Sequence, residues 1–194
     1  MLGFDPYWER IDAAYNYEIR RRTEILAANT PLEPGEIAHV ADDGTLAAGF
    51  YDFMEWQGMK LTKQEESIRT KLKLGAVKGG SRGRFCLVIQ RLDDGRYIIC
   101  YLTSFNSIKY GTNLEGLLGK LFAVAIDDTP DYPPGTPSIK VLPKWHGNGF
   151  LYTIPVPRKN LQRKKNGIRF MLRMGELERV KRLISERVQV CQDT

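Results

Sequence analysis

Residues 82–106, RGRFCLVIQRLDDGRYIICYLTSFN, limit the fold more than any other stretch of the chain. Two runs of aliphatic, aromatic and β-branched residues flank Asp93-Asp94-Gly95. Runs of that length on either side of a turn triplet read as a β-hairpin, with strands over 84–91 and 96–104. If the turn occupies 93–95, Leu92 faces Arg96. Counting outward then sets Val88 opposite Cys100, Cys86 opposite Leu102 and Arg84 opposite Ser104. Directly paired side chains share a face with Cβ atoms about 5 Å apart, so Arg84 and Ser104 would meet where the hairpin opens. A slip of one residue brings Thr103 beside Arg84 instead. A guanidinium next to a hydroxyl can hold an anion such as a phosphate in a fork of N–H donors. The plainer reading is a strand end with Arg84 pointing into water.

The rest of the chain supplies helices before the hairpin and short strands after it. Asp5-Pro6 is a helix start, because Asp caps free N–H groups and Pro fits the first helical position; the apolar spacing that follows predicts a helix over 6–28. The two prolines of NTPLEPG end it. Glu36 to Val40 is a short strand-like run. Leu61-Thr62-Lys63-Gln64-Glu65 is a capping box, which predicts a helix over 63–73. LFAVAID (121–127), PSIKVLP (137–143) and FLYTIPV (150–156) are further strands separated by proline and glycine clusters, a spacing that suggests a small curved antiparallel sheet or barrel. Leu177, Val180, Leu183, Ile184 and Val188 then form the apolar stripe of a C-terminal helix packed on that sheet.

Composition excludes several chemistries. The 194 residues contain two histidines, His39 and His146, too few for a histidine-rich metal site. The three cysteines lie far apart and suggest buried thiols rather than a disulfide framework or a zinc site. The aspartate pairs 42-43, 93-94 and 127-128 are adjacent in sequence, so their side chains diverge or sit in turns and make no two-metal site. KGGSRGR (78–84) lacks the spacing of a nucleotide-binding P-loop. No metal and no cofactor is expected. The absence of a membrane-length apolar run or a secretory leader points to an intracellular, cytoplasmic protein without a membrane partner.

The net charge of +6 is unevenly placed. Eleven basic residues against three acidic ones between Arg158 and Arg187 give that stretch +8, which leaves −2 for the remainder. A polyanionic partner and a solvated basic face are the two readings of such a tail. Its run PRKNLQRKKNGIR, 157–169, also has the composition of a nuclear-localisation signal.

The segment GRFCLVIQRLDDGRYIICYLTS resembles the signature of the PemK/MazF family of toxin endoribonucleases, a strand with an arginine near its start, a turn, and a strand that ends in hydroxyl residues. PSIKVLPKWHGNGFLYTIPVPRKNL resembles the family's closing strands, and ELERVKRLISERV occupies the place of its C-terminal helix. The likeness spans about residues 75–190. It implies an α+β protein: a small SH3-like antiparallel β-barrel with a C-terminal helix over 75–194, after a helical N-terminal extension over 1–74 whose segment 35–41 is a candidate first barrel strand. It also implies metal-independent cleavage of single-stranded RNA, in which the 2′-hydroxyl attacks and a cyclic phosphate is left. Arg84 takes the catalytic arginine's place, donating to the scissile phosphate and protonating the leaving oxygen, and Thr103 or Ser104 takes that of the catalytic hydroxyl.

RNA contacts are expected from Lys78, Arg82 and Asn106 around the site, from Trp145 and His146 as a stacking loop, and from Arg158, Lys159, Arg163, Lys164 and Lys165. Where family members usually carry proline after the arginine, this chain has Phe85. That residue and the long extension favour the alternative of a non-catalytic barrel binding RNA or a protein partner. A protein regulator or homodimer formed through the front helices is a third reading.

Overall fold

The computed structural model describes residues 30–40, 46–78, 83–103, 121–145, 149–163 and 169–192. The helix predicted over 6–28 lies outside them. Within them the chain forms β1 (Ile37–Val40), α1 (Leu46–Trp56), α2 (Lys63–Lys78), β2 (Arg84–Arg91), β3 (Tyr97–Thr103), β4 (Ala123–Ala125), β5 (Val141–Leu142), β6 (Phe150–Arg158), β7 (Leu161–Gln162), β8 (Met171–Leu172) and α3 (Glu176–Gln192). This is a mixed α and β protein. Six strands form one antiparallel sheet in the order β4-β6-β3-β2-β1-β7, and β5 and β8 form a second, two-stranded one.

The six-stranded ladder does not close, so the closed barrel implied by the resemblance is here an open sheet. It is nevertheless strongly rolled. In a flat sheet the four strand spacings between β6 and β7 would span about 19 Å. The three Cα steps from Arg158 to Leu161 cover at most about 11 Å. The two strands can be joined that directly only if the sheet curls back on itself. Asn160 makes the turn in the left-handed region, at φ 58°. Accordingly Leu161 packs against the same core as Tyr152 and Val156 of β6.

Both faces of the sheet are buried, which explains why its strands read as near-continuous apolar runs. Cys86, Val88, Ile99, Tyr101, Tyr152, Ile154 and Val156 share one side with Leu46 and Phe53 of α1. Leu87, Ile89, Ile98, Cys100, Leu102 and Leu151 share the other with Val141, Leu172 and Val180 and Ile184 of α3. Each such aliphatic side chain, fully buried, contributes about 1.5–3 kcal/mol. The α3 stripe packs as its spacing predicts: Val180 and Ile184 are buried, and Leu177, Leu183 and Val188 are partly so.

The hairpin turn also forms where the sequence puts it. Leu92 N–H donates to the Arg96 carbonyl at 2.8 Å, Gly95 adopts φ 78°, and Gln90 pairs with Ile98 as counted. Farther from the turn the register changes. A β-bulge between Val88 and Gln90 sets Val88 opposite Ile99, Leu87 opposite Cys100 and Cys86 opposite Tyr101, one residue away from the straight count.

The helix expected over 63–73 extends over Lys63–Lys78. Its capping box is complete: Thr62 N–H donates to the Glu65 carboxylate at 2.7 Å, and Glu65 N–H donates to Thr62 Oγ1 at 3.3 Å. α1 formed no part of the sequence expectation. Leu46, Phe50 and Phe53 line its inner side, and Gly49 lets its backbone approach the Tyr101 ring, where an added Cβ would lie 3.4 Å from Cε2. The strand-like run 36–40 is β1, hydrogen-bonded between β2 and β7.

Candidate functional site

β2 begins at Arg84 and β3 ends at Thr103, both at one end of the sheet. Extending the bulged register by two residues sets Arg84 across from Thr103, and Arg84 pairs on its other side with Val40 of β1. Thr103 pairs in turn with Phe150 of β6. The bulge thus moves the register by one residue, toward the slip in which Thr103 would stand beside Arg84. Ser104, the hydroxyl favoured by the straight count, lies outside the described residues, as do Arg82, Asn106, His146, Lys164, Lys165 and the side chain of Lys78. Arg84 is half-buried, and no described residue forms a hydrogen bond or ion pair with its guanidinium.

Gly83 fixes how the chain enters this end. At φ 66° its missing Cβ would fall 2.7 Å from His39 Nε2 and 2.5 Å from the Val40 carbonyl oxygen. Only glycine fits there, and the His39 ring therefore lies directly against the backbone that precedes Arg84.

From His39 a row of rings runs along the other face. His39 meets Phe85 at 5.5 Å, Phe85 meets Trp145 at 5.2 Å, and Trp145 meets Phe170 at 5.1 Å, each edge to face. All four rings are half-buried. The loop carrying Trp145 is pinned by Asp127, a buried residue at φ 47° whose carboxylate accepts from Trp145 N–H at 2.6 Å and Val141 N–H at 3.1 Å. Asp127 is thus a turn-building group that replaces strand pairing.

The basic tail is largely engaged by the protein itself. Of its eleven cations, Lys164 and Lys165 are outside the described residues, and seven of the other nine bond to partners within the fold. Arg158 donates to Asp52 at 2.7 Å and to Tyr101 Oη at 2.8 Å, with its guanidinium 5.7 Å from the Tyr101 ring centre. Arg163 donates to Glu36 at 2.6 Å and Arg169 to Glu36 at 3.1 Å. Arg179, Lys181 and Arg182 pair with Glu176, Glu178 and Glu186 along α3. Arg187 donates to Thr153 Oγ1 at 2.8 Å. Arg158 and Arg163, expected to face RNA, are thus tied to buried carboxylates. Lys159 acts on Asp94.

Two acidic residues to which the sequence assigns no role organise these contacts. Glu36, 1% exposed, joins Arg163 and Arg169 and also accepts from Glu33 N–H at 3.1 Å. Asp52, 8% exposed, receives Arg158, Arg69 at 2.7 Å and Lys73 at 2.8 Å. Burial alone would raise the Asp52 pKa, but the Lys73 hydrogen bond and the Arg158 charge outweigh it and hold the carboxyl below its ordinary value.

The thiols of Cys86 and Cys100 are buried and unbridged. Burial, reinforced by Cys86, pushes Cys100 well above the usual thiol range, so neither is poised as a nucleophile. Among the described residues no cluster of three or more His, Cys, Asp or Glu side chains suits a metal ion, and no helix is long and apolar enough to cross a membrane.

These features define an α+β protein built on an open, rolled antiparallel sheet, with an arginine that has no ion-pair partner among the described residues and a threonine at one sheet end. Compared with family models, with curated proteins and with solved structures, the chain matches none.

Proposed function

We propose that the protein is a metal-independent endoribonuclease of the PemK/MazF type, its rolled sheet a variant of the SH3-like barrel, acting on single-stranded RNA. The observation that carries this reading is the β2–β3 bulge, which shifts the register by one residue so that, continued two residues past the Cys86–Tyr101 pair, it would set Arg84 opposite Thr103. The Arg84 guanidinium has no carboxylate partner among the described residues, in contrast to most cations of the tail. It is available to a phosphate, and its N–H donors would stabilise charge building on the phosphorus oxygens as the substrate's 2′-hydroxyl attacks. The P–O5′ bond then breaks, leaving a 2′,3′-cyclic phosphate and a 5′-hydroxyl. Thr103 would orient the same phosphate. Since Arg158 and Arg163 are occupied, backbone grip falls to Lys78, Arg82, Lys159, Lys164 and Lys165, and Trp145 offers a ring for an unpaired base.

The test is cleavage of labelled mixed-sequence single-stranded RNA in EDTA by the wild-type protein, Arg84→Ala and Thr103→Ala. Because Arg84 makes no ion pair with any described residue, its removal should leave the fold intact. Cyclic-phosphate ends that disappear in Arg84→Ala support the proposal; intact RNA in every lane, or equal cleavage by all three proteins, refutes it.

A second reading, RNA binding without cleavage, is favoured by Phe85, which opens the aromatic row beside Arg84. It predicts retention of RNA that weakens steeply between about 50 and 200 mM salt, with no cleaved product.

A further inference from the structure

We infer that α2 is an ion-latched arm, docked on the fold through two carboxylates of α1 and released by salt while the sheet remains folded. Three observations carry the inference. First, α2 has little core among its described side chains. Between Lys63 and Gly75 none is buried: of the apolar ones Leu72 is half-buried, and Ile68 and Leu74 are 37% and 56% exposed. A solitary 16-residue helix is marginal in water even with a good cap, so docking must supply what keeps it ordered.

Second, what docks it is electrostatic. Arg69 reaches Asp52 at 2.7 Å and Glu55 at 2.9 Å, and Lys73 reaches Asp52 at 2.8 Å. Both carboxylates belong to α1, which is itself anchored to the sheet by buried Leu46 and Phe53.

Third, Asp52 keeps a partner when the arm leaves. Arg158 of β6 holds its other oxygen at 2.7 Å from beneath. An ion pair that opens onto a stranded buried charge is costly to break, but here the buried carboxylate stays neutralised and the two departing cations enter water. The design favours reversible release. Arm and sheet thus respond differently to ionic strength, since the Debye length shrinks from about 10 Å at 0.1 M salt to about 3 Å at 1 M.

For the proposed nuclease site, only residues 79–83 separate the arm's last residue, Lys78, from Arg84. Release frees Arg69 and Lys73 for a polyanion. This consequence rests on the proposed function; the latch itself does not, and its test involves no RNA.

Hydrogen exchange of the full chain, followed by mass spectrometry at about 0.05 and about 0.5 M sodium chloride, reads the latch directly. The expected result is an increase of about tenfold or more in exchange across 63–78 at high salt, with 97–103 and 150–158 unchanged. Arg69→Gln combined with Lys73→Gln, both on the outer side of the contact, should exchange fast at low salt and lose the salt response. Salt-independent protection of α2, equal loss in the sheet peptides, or wild-type protection in the double variant would each overturn the inference.

Discussion

Gly83→Ala offers the most direct trial of how the site end is built. The substitution adds one methyl group at a backbone held at φ 66°. Alanine in that region costs about 1–2 kcal/mol before any contact is considered. The new Cβ would also stand 2.5 Å from the Val40 carbonyl oxygen and 2.7 Å from His39 Nε2. The carbonyl belongs to β1, whose pairing with Arg84 it helps define, so it cannot swing aside as a side-chain tip would. Overpacking of this kind costs a further ~1–3 kcal/mol. The total is about 2–5 kcal/mol, equivalent at about 2–4 °C per kcal/mol to a fall of roughly 4–20 °C in Tm. Denaturant and thermal unfolding measure it. Adding His39→Ala removes the ring clash but leaves the carbonyl clash and the backbone strain, so recovery should be partial. A Gly83→Ala protein within about 0.5 kcal/mol of wild type, or one fully restored by His39→Ala, would refute this account of the strand entry.

Other outcomes follow from the ion clusters and the core. The Asp52 pKa is lowered on folding, so its contribution to stability is present above the unfolded carboxyl value and lost as pH falls below about 4; acid unfolding followed by circular dichroism should be less steep in Asp52→Asn. Glu36→Gln takes the shared buried carboxylate from half-buried Arg163 and buried Arg169 and should cost about 3–5 kcal/mol in urea unfolding. Tyr101→Phe removes the oxygen that accepts from Arg158 and should cost about 0.5–1.5 kcal/mol. Ile184→Ala should cost about 2–5 kcal/mol, whereas Leu74→Gln on the exposed side of α2 should change stability by no more than about 0.5 kcal/mol.

What could be read in the sequence was what is local. The Thr62–Glu65 box spans four residues, the hairpin turn three, and the α3 stripe repeats within a few turns, so short-range rules reach them. α1 escaped because LAAGFYDFMEW carries a glycine and a cluster of aromatics, which argue against a helix until the core on the far side of Tyr101 is known. The bulge at Val88/Gln90 has no sequence mark, yet it shifts the register of the strands that lead to Arg84 by one residue. The basic tail was legible as charge but not as structure. Arg158 finds Asp52 106 positions away, and Arg163 finds Glu36 127 positions away. No spacing rule links residues so distant, and an arginine bound for a buried carboxylate has the same letters around it as one bound for a phosphate.

The roll that carries β6 into β7 also sets a timetable for biosynthesis. β2 and β3 can pair as soon as both have left the ribosome, but their apolar faces gain β6 only about 50 residues later and β7 just after it. Until residue 162 has emerged, a nascent chain holds a hairpin that is apolar on both sides and bare along an edge. Long-range pairings of this sort form late and leave half-made sheets prone to self-association. A ribosome paused between the codons for Thr103 and Phe150 would therefore expose an aggregation-prone species, and a chain cut short in that interval should be found with chaperones rather than in solution.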